Sequence, residues 1–274
     1  MINKLNKLYR STIQYSLKQG DFLCTLSDQS IVSLCNFFVT VIIIKFLGLE
    51  IFGKYSFLWM IALYMNSVQQ SFIISPMYSI APQKNKQSLV YYYAGVFFQQ
   101  IIFSVISFLI IYLGLKFLSN LSWFHETEKY SVSFAFAIFA FQIQNFVRRL
   151  FFSQKKIISA TLCDLIAYTS LIVSLIYLNH INQLNLVNIF WSYTITFSIG
   201  ILIGIPNLLL LKFNYDEILN SFQTNWPTSK WLTLSTTLHW FSGNLWFINA
   251  GIILGPFMFG IIRACVALGQ IFNI

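Results

Sequence analysis

Residues 27–48 read SDQSIVSLCNFFVTVIIIKFLG, a segment apolar enough for the inside of a bilayer that nevertheless opens near Asp28, holds Asn36 at its middle and closes near Lys45. On a helical wheel Gln29, Ser33, Asn36 and Thr40 fall at i, i+4, i+7 and i+11, a stripe about 60° wide. The rest of the cylinder is Ile, Val, Leu and Phe. A helix of this kind faces lipid on most sides and, along one seam, either water or another polar seam, because hydrocarbon offers polar groups no partner.

Working outward, the whole chain has the same character. Of 274 residues, 57% are hydrophobic and 9% charged, with 29 Phe and a mean hydropathy of +0.69. Soluble domains run near 25% charged, so this is membrane composition. The formal net charge is +9. No basic run is interleaved with aromatics on a soluble face, so the excess is read as topology and no nucleic-acid partner is called for. Cys24, Cys35, Cys163 and Cys265 are isolated in apolar segments, without the spacing of a metal site or a disulfide pair. The basic start ahead of an apolar stretch resembles a signal peptide, but the stretch is too long and lacks a small-x-small cleavage site.

Residues 1–21 read as an amphipathic N-terminal segment on the cytoplasmic surface. Apolar windows then predict an all-α, polytopic membrane protein of seven to eight spans, near 22–46, 55–80, 89–115, 130–152, 157–179, 186–211, 231–252 and from 256. The first six form one lobe over 22–212, the polar interval 213–230 reads as a cytoplasmic linker, and 231–274 would begin a second lobe. The eighth segment barely has the length to cross, which points to a truncated form. In this layout twelve Lys and Arg residues lie inside and Lys45, Lys54, Lys116 and Lys129 outside, placing the N-terminus in the cytoplasm.

The first seam recurs. Gln100, Ser104 and Ser107 form a stripe in the third span, Gln142, Asn145 and Arg149 in the fourth, and Thr161, Asp164 and Tyr168 in the fifth; Asn66, Gln69 and Gln70 cluster in the second. Such stripes either surround a common polar cavity or hydrogen-bond between packed helices. As cavity-lining residues we single out Gln29, Ser33, Asn36, Thr40, Asn66, Gln70, Gln100, Gln142 and Asn145. Asp28 and Asp164 are either ion-coupling carboxylates or halves of buried ion pairs. Gly200 with Gly204, and Gly251 with Gly255, allow close helix approach; Pro76 and Pro206 stand near span ends. His125, His180 and His239 are scattered, and no catalytic set, metal site or cofactor motif emerges.

"FLGLEIFGKYSF" (residues 46–57) after the first span, Pro76 ending the second, "FVRRLFFSQKK" (146–156) followed by Asp164, and "GIILGPFMFGIIRACVALGQ" (251–270) together resemble the polysaccharide-biosynthesis flippases, the O-antigen and lipid-linked oligosaccharide translocases of the multidrug/oligosaccharidyl-lipid/polysaccharide exporter superfamily. The resemblance implies two pseudosymmetric six-helix lobes around a cavity. It also implies translocation of a polyprenyl-diphosphate-linked oligosaccharide from the cytoplasmic to the outer face of the cell membrane by alternating access, driven by an ion gradient or the membrane potential. Glycosyltransferases or a polysaccharide polymerase would be its partners, alongside membrane lipids. This chain departs by stopping after about eight spans.

Amides and hydroxyls suit the glycan of such a substrate. Arg149 and Arg263 suit the diphosphate, since guanidinium binds phosphate bidentately. Arg148, Arg149, Lys155 and Lys156 equally serve topology or contact anionic lipid. Two alternatives remain: a cation-coupled multidrug exporter of the same superfamily, whose cavity would be more apolar and acidic, and an inactive remnant or non-transporting membrane subunit.

Overall fold

In the computed structural model, residues 29–117, 119 and 127–267 are described in full and residues 2–28, 118 and 268–271 as helical backbone alone; all regular structure among them is helical. Helix α1 (Ile2–Gln69) carries one non-helical residue, Gly48, at φ 85° and ψ 171°. That region of backbone space is essentially closed to residues with a Cβ, so glycine can fold the chain back within a single residue. The expected exterior loop near residue 50 thus shrinks to one position. Residues on either side of it, such as Thr40 and Ser56, face each other.

A π-helical turn, Gln70–Ile74, and a short α2 (Ser75–Ile80) continue the second arm of α1. Pro76 lacks an N–H, and the carbonyl of Phe72, four residues earlier, accepts instead from the Ser229 hydroxyl at 2.7 Å. Then follow α3 (Lys86–Leu118), α4 (Thr127–Ser153), α5 (Ile157–His180), α6 (Leu186–Leu202), the single turn α7 (Ile205–Leu208) and α8 (Tyr215–Ile271). The sixth apolar segment, expected to reach residue 211, breaks at Ile203–Gly204, ahead of Pro206.

Helix α8 repeats the device of α1. Gly255 has φ 82° and ψ 171°, and Arg263 of the return arm sits over the Phe247 ring, 5.5 Å from its centroid. The sequence around the two turns is shared: Leu47-Gly48 and Phe52-Gly53 recur as Leu254-Gly255 and Phe259-Gly260. The copies meet. A Cβ on Gly53 would overlap the Pro256 carbonyl oxygen, and one on Gly260 would overlap the Leu49 carbonyl oxygen. Leu49 and Pro256 each follow a turn glycine, so the contact is reciprocal. Gly255 therefore turns the chain, whereas Gly53 and Gly260 allow the close approach.

The interval read as a linker is helical from Tyr215 and docks on α3 and the π turn. Tyr92 donates to Asn225 Oδ1 at 2.8 Å, Gln99 Nε2 to Ser221 Oγ at 3.0 Å, and Ser229 Oγ to Phe72 O at 2.7 Å. Its polar composition hides a helix because each of these groups finds a partner on a neighbour.

Helix α4 is the most enclosed of the long apolar helices: 78% of its most apolar stretch is inside the molecule, against 22–33% for the other four. Ala135, Ala137 and Ala140 let neighbours approach it, and Phe134, Phe141, Phe190 and Phe197 fill the core between α4 and α6. Gly200 packs on Ala167 of α5 and Gly204 on Val147 of α4. Elsewhere the surface is apolar, with Phe117, Val173 and Ile253 directed outward. Five helices, two of them containing the glycine turns, are long and apolar enough to cross a membrane. An outward apolar belt of this extent is stable in lipid and not in water.

Candidate functional site

The two arms of α1 and the return arm of α8 enclose a cavity of about 390 Å³. The first arm contributes Ser33, Asn36, Phe37 and Thr40, the second Phe52, Tyr55, Ser56, Trp59 and Leu63, and α8 contributes Arg263 and Ala267. The opening seam and the distant Arg263 are thereby brought to one place. The Thr40 hydroxyl donates to its own helix, to Asn36 O at 3.0 Å. Among the described residues, the Asn36 carboxamide and the Arg263 guanidinium donors have no hydrogen-bond partner and no carboxylate lines the cavity. A guanidinium stacked on a ring face keeps its in-plane donors for an anion.

One wall is aromatic. Tyr55 and Trp59 lie nearly parallel, 5.9 Å apart, Trp59 packs 4.6 Å from Tyr193, and the Tyr55 and Tyr193 hydroxyls share a buried hydrogen bond of 2.7 Å. The network holds Tyr55 and Trp59 in one orientation, with Phe190 stacked behind Tyr55 at 6.1 Å. Phe52, Tyr55, Ser56, Trp59 and Leu63 recur at i, i+3, i+4, i+7 and i+11, so they form one helical face, whose largely aromatic composition does not distinguish a cavity wall from packed core.

The other polar stripes have a different fate. Gln69 Nε2 donates to Gln100 Oε1 at 3.0 Å and to Gln142 O at 2.8 Å, and Gln100 Nε2 to Ser104 Oγ at 2.8 Å. Asn145 Nδ2 donates to Asn66 Oδ1. Gln100 and Gln142 are fully buried, so these residues join α1, α3 and α4 rather than lining the central cavity. Both ends of the Gln142 carboxamide lack a partner among the described residues. Gln70, next to the buried Gln69, is half-buried and takes no part in the amide network.

Asp164 is fully buried on α5 and held from α4: Arg148 is ion-paired to Oδ2, and Gln144 Nε2 donates to Oδ1 at 2.6 Å. Of the two readings of this carboxylate, the geometry displays the ion pair. Asp28 falls outside the residues whose side chains are described.

Arg149 lies apart from Arg263, in a second cavity of about 430 Å³ where α1, α2 and the α4–α5 corner meet. Gln29, Tyr78, Arg148, Ser153 and Lys155 line it with Arg149. Gln29 is one helical turn from Ser33, so the first seam touches both cavities. Tyr78 donates to Arg149 O at 3.3 Å, and the Tyr93 and Ser153 hydroxyls are 2.7 Å apart.

No family model, no characterised protein and no solved structure matches this chain.

Proposed function

We propose that the chain is a multi-pass protein of the cell membrane with eight crossing segments and a cytoplasmic N-terminus. In this reading it handles a polyprenyl-diphosphate-linked oligosaccharide on its way from the cytoplasmic to the outer leaflet, as a flippase of the polysaccharide-biosynthesis type. The carrying observation is the convergence of Ser33, Asn36 and Thr40 with Arg263 and an aromatic wall in one cavity. Sugar rings present hydroxyls to amides and apolar faces to aromatic rings, and a diphosphate matches a guanidinium with free donors. A lipophilic-cation exporter would place carboxylates against its cargo, and the central lining has none among the described residues.

Native mass spectrometry of the purified chain in detergent tests this reading. The protein is offered a polyprenyl diphosphate carrying a short oligosaccharide, the same glycan on a neutral lipid, and ethidium. Retention of the first over the other two is expected. Preferential retention of ethidium would move the chain to the drug-exporter class, and retention of none would remove the transport reading.

A further inference from the structure

We propose that the cavity at the α4–α5 corner is a second phosphate-binding site, which receives the diphosphate of the lipid-linked substrate before the central cavity does. This rests on the function proposed above. Three cations, Arg148, Arg149 and Lys155, line the corner cavity, and no carboxylate does among the described residues. Asp164, behind Arg148, offsets one of them. Among the described residues two positive charges, on Arg149 and Lys155, are left facing one concave space, an arrangement that attracts a multivalent anion.

Two local features point the same way. The Arg149 Nε–H is buried and has no acceptor among the described residues. A buried donor without an acceptor is costly, so the guanidinium lacks its full set of partners within the fold while its residue lines the cavity. Lys155 has φ 59°, with Lys156 N bonded to Phe151 O at 2.9 Å and Lys155 N to Phe152 O at 3.0 Å. These bonds form a Schellman motif that closes α4, and its left-handed position favours glycine. A lysine is held there, against the backbone preference, with its side chain lining the cavity.

The seam supplies continuity. Gln29 in the corner cavity and Ser33 in the central one are successive members of the same stripe on α1. A diphosphate leaving Arg149 would thus pass hydrogen-bonding groups on the way to Arg263. In the proposed topology the corner lies at the cytoplasmic end, where the substrate is made.

The test uses Ser153→Cys in the full chain lacking the four native cysteines, reconstituted in vesicles, with its rate of modification by a water-soluble thiol reagent as readout. Inorganic pyrophosphate should protect this cysteine. Arg149→Gln should weaken that protection by about tenfold or more. Lys155→Gly should weaken it while leaving thermal stability equal or higher, since glycine suits the turn. Arg263→Gln should leave it unchanged. Protection that survives both Arg149→Gln and Lys155→Gly, or no protection at all, overturns the site. Vesicles doped with polyprenyl diphosphate should protect better than vesicles with equal phosphatidylglycerol; equal protection by the two would make this a lipid-headgroup contact and overturn its role toward the substrate. Failure here with an intact central cavity leaves Asn36→Cys protected by the lipid-linked oligosaccharide, which separates it from failure of the proposed function.

Discussion

The two cavities share one polar seam and differ in what they offer a ligand. Among the described residues the central one has a single cation, a carboxamide without a partner and a wall where Tyr55 and Trp59 lie nearly parallel; the corner one has three cations and hydroxyls, with Tyr78 and Phe152 beside them. In the proposed function the first would recognise a sugar and a phosphate together and the second chiefly charge, so that one substrate carrying both groups would use the central site for selectivity and the basic one for capture. The contrast lies at the level of packing: the two arms of α1 enclose the central cavity, whereas the corner cavity is formed where α1, α2 and the α4–α5 turn come together.

The largest effect that would sharpen the contrast is expected at Arg263. Arg263→Gln should weaken binding of a polyprenyl-diphosphate oligosaccharide by about 10- to 100-fold, the worth of about 1.5–3 kcal/mol for a hydrogen bond to a charged group. Arg263→Lys should recover only part of it, since bidentate geometry is lost. Both are read by titration with native mass spectrometry. Equal affinities in all three proteins would place the diphosphate elsewhere.

Next comes the close approach of Gly53 to Pro256. Gly53→Ala forces a methyl group into the Pro256 carbonyl and should cost about 1–3 kcal/mol, as overpacking does. A lower apparent Tm in detergent, with corner-site protection by pyrophosphate retained, is expected. An unchanged Tm would mean that α1 and α8 are not held in contact there. Asn36→Leu is milder. Removing one neutral hydrogen-bonding group of about 0.5–1.5 kcal/mol should weaken oligosaccharide binding about three- to tenfold without lowering membrane insertion. The smallest difference is in ionic strength: raising salt should weaken pyrophosphate protection at the corner more than substrate binding in the center, because screening acts most on exposed charge. Equal salt sensitivity would contradict the division of roles.

Much of the helical layout was legible. Long apolar runs bounded by polar turns give α3, α4 and α5 with ends close to those expected, since a span of fixed length in lipid leaves little freedom. Residues 215–230 were not legible as helix, because Ser221, Asn225 and Ser229 read as loop composition until their partners Gln99, Tyr92 and the Phe72 carbonyl are known. The site was half legible. A helical wheel shows that Asn36 and Gln142 both lie on polar stripes, but not that one meets a cavity and the other the packed contact of α1, α3 and α4. Nor does it separate Arg149 from Arg263, which the fold assigns to different cavities. Gly48 and Gly255 declared their roles only through their backbone angles, although the Leu-Gly and Phe-Gly pairs around them were present in the sequence.

The central cavity is tested most directly by single cysteines on the first arm of α1, in the chain lacking its native cysteines and reconstituted in vesicles. Ser33, Asn36 and Thr40 line the cavity; Leu34, Phe38 and Val41 point outward from the molecule. Modification rates with a small charged methanethiosulfonate, measured with and without the polyprenyl-diphosphate oligosaccharide, should differ by about tenfold or more between the two sets, as water-filled and lipid-facing positions do. The oligosaccharide should protect the first set only. Equal rates along the helix, or reactive cavity positions that the oligosaccharide leaves unprotected, would contradict a substrate cavity between α1 and α8.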